Sequence, residues 1–350
     1  MISRKKFIKK ILTSVLLMCL TILANNILTC CNSPEVPDTT EGTSSAKVSI
    51  TLNEVAHSIF YAPQYVAIEN GYFEEEGIEL NLVTGFGADK VMTALISGDA
   101  QIGFMGSEAS IYAYNEGAKD YAVNFAGLTQ RAGNFLVSRY PIDNFSWDML
   151  KGKTILGGRA GGMPEMVLEY ILKNNDIDIN NELDIIQNID FGLTAGAFSG
   201  GSGDFTVEFE PGATSLEKEG VGYVVASLGV DSGYVPYTAY SAKASYIKAN
   251  PDVIQSFTNA IQKGLDYVAT HSSKEIATII APQFPDSDVE TITLIVERYK
   301  SQDTWKTDTI FTEESFKLLQ DILFEAGVIT EYAPYNDLVN TEFANKSLKK

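Results

Sequence analysis

The chain has 350 residues, a length typical of about two domains, and its 45% apolar and 20% charged residues exclude a wholly disordered protein. It has 26 Lys and Arg residues against 45 Asp and Glu residues, a net charge of −19. This balance argues against a nucleic-acid partner, because no net positive field would attract phosphates. Five of the bases stand in residues 1–10, which leaves 21 bases against the 45 acids in the remainder.

The N-terminus is predicted to be an export signal. The basic residues 1–10 precede an apolar run at 11–23, which is too short to span a bilayer and is typical of a secretory signal. The sequence LTCC at 28–31 then resembles the bacterial lipobox, in which a cysteine is lipidated and becomes the new N-terminus. We expect an acyl chain such as palmitate at Cys31, with Cys30 as the alternative.

The predicted signal peptide, residues 1–30, is followed by a flexible tether at 31–46, rich in Ser, Thr, Pro and acidic residues. The three cysteines of the chain all precede residue 32, so with Cys31 lipidated the folded part has no thiol. Disulfides, cysteine metal sites and cysteine nucleophiles are thereby excluded from it. The expected location is the outer face of a bacterial cell membrane, to which the exported protein is lipid-anchored.

Strands alternate with helices after the tether. The patterns predict strands at 48–55, 78–84, 101–105, 122–128 and 135–138, with helices at 61–70 and 88–97. This order with short connections is typical of a parallel sheet with crossover helices.

A second α/β series begins near residue 144, and the chain becomes helical after residue 250. Predicted strands lie at 154–156, 183–189, 205–209 and 223–228, with a helix at 165–174 and a flexible glycine-rich loop at 196–203. The later helices are predicted from Pro251 onward and at 273–280, 286–299 and 312–326. The first of them has an apolar stripe formed by Ile254, Phe257, Ile261, Leu265 and Val268.

The candidate ligand-binding residues lie in five loops at strand ends, where open parallel sheets bind their ligands. Small residues in such loops let backbone N–H groups face a ligand, and a following helix N-terminus favours negative charge. The candidates are His57, Ser58, Phe60, Tyr61, Phe86, Gly87, Ser107, Glu108, Arg159, Gly161, Gly162, Met163 and Glu210.

Catalytic and metal-binding patterns are weak. The chain has two histidines, His57 and His271, and no His, Asp or Glu cluster with metal-ligand spacing. Glu208 and Glu210 would share one face of a strand and could act as an acid and base pair, but we expect solvated carboxylates there. The prediction is therefore a protein that is not an enzyme, with no catalytic residue, no metal and no cofactor.

The running pattern of the chain resembles one group of periplasmic binding proteins. It is carried by YAPQYVA at 61–67, GYFEEEGI at 71–78 and ALISGDAQIG at 94–103, with FEP at 209–211 and the pair Tyr299 and Trp305 as later matches. The group comprises solute-binding lipoproteins of ABC importers for aliphatic sulfonates, taurine, nitrate and thiamine-pyrimidine precursors. The likeness covers nearly all of residues 48–345.

This resemblance implies an α/β periplasmic-binding-protein fold of type II, with the ligand in a cleft between two lobes. The expected lobe one is residues 47–138 plus 240–350, and the expected lobe two is 139–239. The two crossover segments are expected near 135–140 and 237–243, with the C-terminal helices packed on lobe one. The implied partners are a small ligand and membrane permease subunits, and the protein is expected to be a monomer.

Two other classes of function stay open at this stage. A fungal pyrimidine synthase of the same superfamily is the enzyme alternative, but this chain lacks its Cys-rich motif, and an export signal suits a receptor. A structural or adhesion lipoprotein is disfavoured by the five strand-end loops. For the ligand, Arg159 and the helix N-termini favour a sulfonate or related organic anion, whereas the aromatic residues with Glu108 and Glu210 favour a nitrogen-bearing heterocycle.

Overall fold

In a computed structural model of the protein, the described residues are 47–189 and 192–349. The predicted signal peptide, the tether and both candidate lipidation sites, Cys30 and Cys31, lie outside these ranges. None of the helices in the described ranges is long and apolar enough to cross a membrane.

The strands of the described ranges form two five-stranded sheets. They are β1 Val48–Glu54, β2 Ile78–Thr84, β3 Ile102–Gly106, β4 Ala122–Thr129, β5 Phe135–Ser138, β6 Thr154–Leu156, β7 Asp184–Ile186, β8 Phe205–Glu208, β9 Tyr223–Ser227 and β10 Thr238–Lys243. Sheet one has the order β2-β1-β3-β10-β4, and sheet two has the order β7-β6-β8-β5-β9. Both sheets are mixed, because β10 is antiparallel to β3 and β4, and β5 is antiparallel to β8 and β9.

Helices connect the strands and then build the C-terminal part. They are α1 Ala62–Glu69, α2 Tyr72–Glu75, α3 Ala88–Ser97, α4 Glu108–Asn115, α5 Met163–Asn174, α6 Thr194–Ser199, α7 Gly212–Lys218, α8 Leu228–Asp231, α9 Ala244–Ala249, α10 Pro251–Thr270, α11 Ser273–Ile280, α12 Val289–Ser301, α13 Glu313–Glu325, α14 Tyr335–Leu338 and α15 Glu342–Ser347. Short 3₁₀ turns occupy Ile59–Tyr61, Trp147–Leu150 and Ala281–Gln283.

The part of the core that lies against sheet one is covered by α10, and the same buried cluster continues into sheet two. All five members of the predicted stripe of α10 are buried, which confirms its apolar face. Phe257 of that stripe packs its ring on Phe73, Phe125 and Tyr240, at centroid distances of 5.1, 5.9 and 5.1 Å. Burial of such a side chain contributes about 1.5–3 kcal/mol, so α10 fixes the back of sheet one.

The chain passes between the sheets twice, and both passages differ from the sequence prediction. Residues 238–243 of the expected second crossover form β10, which belongs to sheet one. β5 pairs with β8 and β9, so Phe135–Ser138 belongs to sheet two, whereas the sequence placed it in lobe one. The first passage is therefore residues 130–134, and the second is 228–237, just before β10 joins sheet one. A short strand of four buried residues fits a central position in either sheet, so only the pairing partner decides its sheet.

One local prediction was wrong for a reason of packing. The segment predicted as a flexible loop at 196–203 contains helix α6, whose Phe198 is buried in the core. Ser107 precedes α4 but does not cap it with its side chain. Its hydroxyl instead donates to the carbonyl of Pro236 at 2.8 Å, because a buried hydroxyl needs a partner and this one lies nearest.

Candidate functional site

A cleft of about 610 Å³ lies between the strand-end loops of the two sheets. Its volume is within the range typical of small-molecule sites, about 300–1,000 Å³. Of the predicted ligand-binding residues, those that line it are His57, Ser58, Tyr61, Phe86, Gly87, Glu108, Arg159, Gly162, Met163 and Glu210. The predicted residues that do not line it are Phe60, Ser107 and Gly161.

The loop after β1 places one aromatic ring in the cleft and another beneath it. The 3₁₀ turn Ile59–Tyr61 starts at Ser58, whose hydroxyl accepts the N–H of Phe60 at 3.3 Å. Tyr61 reaches the cleft and packs edge-on against Phe104. Phe60 is fully buried against Tyr237 and Tyr299, so it is a core residue rather than a ligand contact.

His57 borders the cleft, but other groups occupy both of its ring nitrogens. Nδ1 lies 2.8 Å from the Glu54 carboxylate and Nε2 lies 2.8 Å from the carbonyl of Gln283. The hydrogen bond to Glu54 raises the pKa of His57, against the opposing effect of burial. The imidazole therefore joins the loop after β1 to the turn at 281–283 and offers a ligand only its ring edge.

Ser58 and Glu210 line the cleft, but their polar atoms are hydrogen-bonded to each other and to α12. The Ser58 hydroxyl donates to the Glu210 carbonyl at 2.7 Å, which links the loops of the two sheets. The Glu210 carboxylate accepts from Arg298 at 2.5 Å and from the backbone N–H and hydroxyl of Thr214. Burial raises the pKa of Glu210, and the Arg298 charge opposes the shift. These contacts make Glu210 a structural carboxylate, although the sequence placed it among the ligand contacts.

The loop before α3 brings an exposed ring and an ion pair to the mouth of the cleft. Phe86 has a φ of +57° and a side chain 61% exposed. Gly87 has a φ of +145°, and its N–H donates to the carbonyl of Val55, so that donor does not face a ligand. Asp89, in the first turn of α3, forms an ion pair of 3.0 Å with Arg159.

Arg159 thus connects the two sheets rather than standing free in the cleft. Both partners of its ion pair are about half exposed, with 48% of Arg159 and 55% of Asp89 accessible. The neighbouring glycine N–H groups are also occupied, because Gly161 donates to Glu165 and Gly162 to the carbonyl of Arg159. The backbone cradle for an anion that the sequence predicted at Gly161 and Gly162 is therefore already filled by the protein itself.

Glu108 is the predicted site residue with the most unusual surroundings. It begins α4, is 3% exposed and lines the cleft, and its Oε2 atom has no hydrogen-bond partner among the described residues. Burial raises the pKa of this carboxyl to about 7. The carboxylate folds back over Gly106, where a Cβ atom would overlap it. A polar atom so buried without a partner is rare and costly, which marks it as a candidate ligand contact.

Sequence reasoning missed the second carboxylate of the cleft. Glu208 was expected to be solvated, yet it is 5% exposed at the end of β8 and lines the cleft. It accepts from the Thr206 hydroxyl at 2.6 Å and from Thr194, while burial raises its pKa to about 7. β8 ends at Glu208, so Glu210 lies beyond the strand whose alternation was expected to place both carboxylates on one face.

Asn134 and Tyr237 were also missed, and they lie on the two passages between the sheets. The Tyr237 hydroxyl donates to Asn134 Oδ1 at 2.8 Å, and both residues line the cleft. Asn134 is fully buried, and its Nδ2 group has no hydrogen-bond partner in the part of the chain that the structure describes. No sequence signal identifies a lone asparagine of this kind, since its role depends on where two distant segments meet.

A second hollow, of about 630 Å³, lies on the surface near α9 and residues 336–343. It contains none of the strand-end loops. Within the described ranges no group of three His, Cys, Asp or Glu side chains is placed to hold a metal ion. The cleft thus offers buried acceptors and one buried amide donor, bordered by aromatic rings.

A family model described as NMT1/THI5 like matches residues 59–275, more than half of the chain. The chain belongs to the NMT1/THI5-like family. A protein of Bacillus subtilis (strain 168) named as a binding protein, YtlA, is 48% identical over 297 residues, which cover 85% of this chain and 89% of that protein.

Solved structures show that this NMT1/THI5-like chain has the two-lobed fold of periplasmic binding proteins. The alkanesulfonate-binding protein SsuA of Xanthomonas axonopodis pv. citri, bound to MOPS, matches with a TM-score of 0.69 and 14% identity, over 85% of this chain and 100% of that one. The nitrate-binding protein NrtA of Synechocystis PCC 6803 matches with a TM-score of 0.68 and 12% identity, over 87% and 89% of the two chains. At these identities the likeness concerns the fold.

Proposed function

We propose that the protein is the solute-binding lipoprotein of an ABC importer, which captures a small ligand between two lobes and delivers it to a membrane permease. The observation that carries the proposal is the cleft between the strand ends of two sheets, with residues of both sheets in its lining. Family membership and the similarity to named binding proteins support it. In this role the protein acts as a lipid-anchored monomer on the outer face of the membrane.

The ligand we propose is a thiamine-pyrimidine-like heterocycle rather than a sulfonate or related organic anion. Buried Glu108 and Glu208 can accept N–H groups of such a ring, and Tyr61 and Tyr237 border the same space. These carboxylates would repel an anion, and Arg159 already forms an ion pair with Asp89. The names of the similar solved structures include sulfonate and nitrate binders, so these anions are the alternative that the test must include.

We propose binding without chemical conversion of the ligand. A receptor needs different affinities in its open and closed states, and it needs no acid–base pair. The pyrimidine-synthase alternative would need the Cys-rich motif, whereas residues 32–350 contain no cysteine. Prolonged incubation followed by mass spectrometry should return the ligand unchanged, and any turnover product would favour the enzyme.

A thermal-shift screen tests the binding role. The full-length protein in mild detergent is heated with pyrimidine heterocycles, or with alkanesulfonates, taurine and nitrate, because a bound ligand raises stability by mass action. We expect an increased Tm with the heterocycles and none with the anions. An increase with the anions alone would favour the sulfonate alternative. No shift with any compound would contradict both ligand proposals.

A further inference from the structure

Two carboxylates face the cleft from opposite sheets, and neither has a cationic partner among the residues that the structure describes. Glu108 follows β3 of sheet one, and Glu208 ends β8 of sheet two. Neither forms an ion pair within the described ranges, where Oε2 of Glu108 has no hydrogen-bond partner and Glu208 accepts from hydroxyl groups. Both are at least nine-tenths buried.

The charged and titratable groups around Glu108 do not neutralise it. Tyr61, Tyr112 and Tyr237 surround it as neutral phenols, each with a pKa raised by burial. The Arg159 charge lowers the pKa of Glu108, but that guanidinium lies at the cleft mouth in its ion pair with Asp89. Burial therefore dominates the charge state of Glu108.

Around Glu208 the hydrogen-bond donors are hydroxyl groups, and no basic side chain of the described ranges pairs with it. Glu210, two residues along the chain, is held by Arg298. The other basic side chains of the cleft lining are His57, bound to Glu54, and Lys90, on the exposed side of α3. An isolated charge buried in this way is unfavourable, so an empty cleft favours the protonated carboxyl.

We propose that the cleft takes a flat, positively charged ligand with N–H donors, and that the ligand replaces protons held by Glu108 and Glu208. This inference rests on the proposed binding function and adds the charge of the ligand and the pH dependence of its capture. The aromatic rings of Tyr61 and Tyr237 suit a flat cation, and the unpartnered Nδ2 of Asn134 adds one donor for an acceptor on the ligand.

The proton balance of this exchange is simple. When the cation enters, the O–H bond of a carboxyl breaks, its proton goes to the buffer, and the carboxylate accepts an N–H of the ligand. No electron is transferred and no other bond is made or broken. An anion would have the opposite effect, because its binding would favour the protonated carboxyls and take protons up from the buffer.

Three probes that share a benzene ring and differ in charge test the inference. They are benzamidinium, neutral benzamide and benzenesulfonate, titrated calorimetrically into the full-length protein at pH 6 and pH 8. Each titration is repeated in two buffers of different ionisation enthalpy, which yields the number of protons released. For each carboxyl with a pKa near 7 that loses its proton on binding, we expect the affinity for benzamidinium to rise about tenfold from pH 6 to pH 8, with more proton release at pH 6 than at pH 8.

Substitutions test whether Glu108 and Glu208 cause the pH dependence and the proton release. Glu108→Gln and Glu208→Gln keep the side-chain shape, and each should weaken benzamidinium binding and reduce both the pH dependence and the proton release. Glu79→Gln, on the exposed face of β2, changes the net charge by the same amount and should leave all three unchanged.

The results that would contradict the inference about ligand charge differ from those that would contradict the binding function. Tighter binding of benzenesulfonate, or benzamidinium binding without a pH dependence, would overturn the inference while the receptor role stands. Absence of benzamidinium binding would also overturn it. The receptor role itself fails separately, in the thermal-shift screen, if no heterocycle and no anion stabilises the protein.

Discussion

Gly106 shows how one missing side chain places a charged group in the cleft. A Cβ atom at this position would overlap the Glu108 carboxylate, and the backbone here has no left-handed conformation that would itself require glycine. Gly106→Ala should therefore keep the fold and displace the carboxylate. We expect the affinity for benzamidinium to fall by about 1.5–3 kcal/mol, the contribution of a hydrogen bond to a charged group. Calorimetric titration and the Tm of the same sample measure both effects.

The control for this change is Gly196→Ala. Gly196 lies inside α6, and a Cβ there meets open space. Alanine at that position should stabilise the helix by up to about 1 kcal/mol without loss of affinity. Unchanged affinity in Gly106→Ala would show that the Glu108 carboxylate does not contact the ligand.

His57 gives the fold a pH dependence of its own. Its pKa is raised in the folded protein by the hydrogen bond to Glu54, so its stabilising contribution is fully present below the ordinary value of 6.5. The contribution is lost as the pH rises through the folded pKa. His57→Gln should therefore lower the free energy of unfolding more at pH 5.5 than at pH 8.5. Urea unfolding of both proteins at the two pH values measures this, and an equal loss at both would contradict it.

At the scale of elements, α10 is the helix on which sheet one depends. Phe257→Ala should lower the free energy of unfolding by about 3–5 kcal/mol, because the substitution removes a fully buried ring that packs on three others. Phe324→Ala is the matched control, since Phe324 on α13 is 48% exposed and should cost less than about 1 kcal/mol. Similar losses in both variants, measured by denaturant unfolding, would contradict this description of the core.

At the scale of the whole molecule, the ion pair between Asp89 and Arg159 joins α3 to the loop before α5 across the cleft. Arg159→Ala should weaken ligand binding by favouring separation of the two sheets, rather than by loss of a ligand contact. A double-mutant cycle with Asp89→Ala should give a coupling energy of about 0.2–1 kcal/mol, as is typical of exposed pairs.

Raised salt should reduce this coupling, because screening acts strongly on exposed charges. The cycle is measured by calorimetric titration at low and high ionic strength. Additive effects of the two substitutions would instead indicate that Arg159 contacts the ligand directly, as the sequence predicted.

We expect the cysteines at 30 and 31 to attach the protein to the membrane. Cys31→Ala should release the protein from the membrane fraction, because covalent lipid would be its anchor. Cell fractionation followed by immunoblotting measures the release. Retention that is lost only when Cys30 is also replaced would move the lipidation site to Cys30. Retention in the double variant would contradict lipidation.

Local sequence patterns determined the elements and the edge at which the site lies. The spacing of Ile254, Phe257 and Ile261 identified the buried face of α10, since helical periodicity is a property of neighbouring residues. The loops after β1, β2 and β3 were identified by a second rule. Parallel strands bring their carboxyl ends to one edge of the sheet, so the loops that follow them lie together. Tyr61 and Glu108 in the cleft lining follow from that rule.

Tertiary structure decided which side chains in those loops are free to meet a ligand. Phe60 and Tyr61 are neighbours in one aromatic sequence, yet packing from Tyr237 and Tyr299 makes the first a core residue. Arg298, 88 residues away, binds the Glu210 carboxylate, whereas no basic side chain in the described part of the chain pairs with Glu208. Burial and pairing depend on contacts between distant segments, so the charge and hydrogen-bonding state of a carboxylate cannot be determined from its neighbours in sequence.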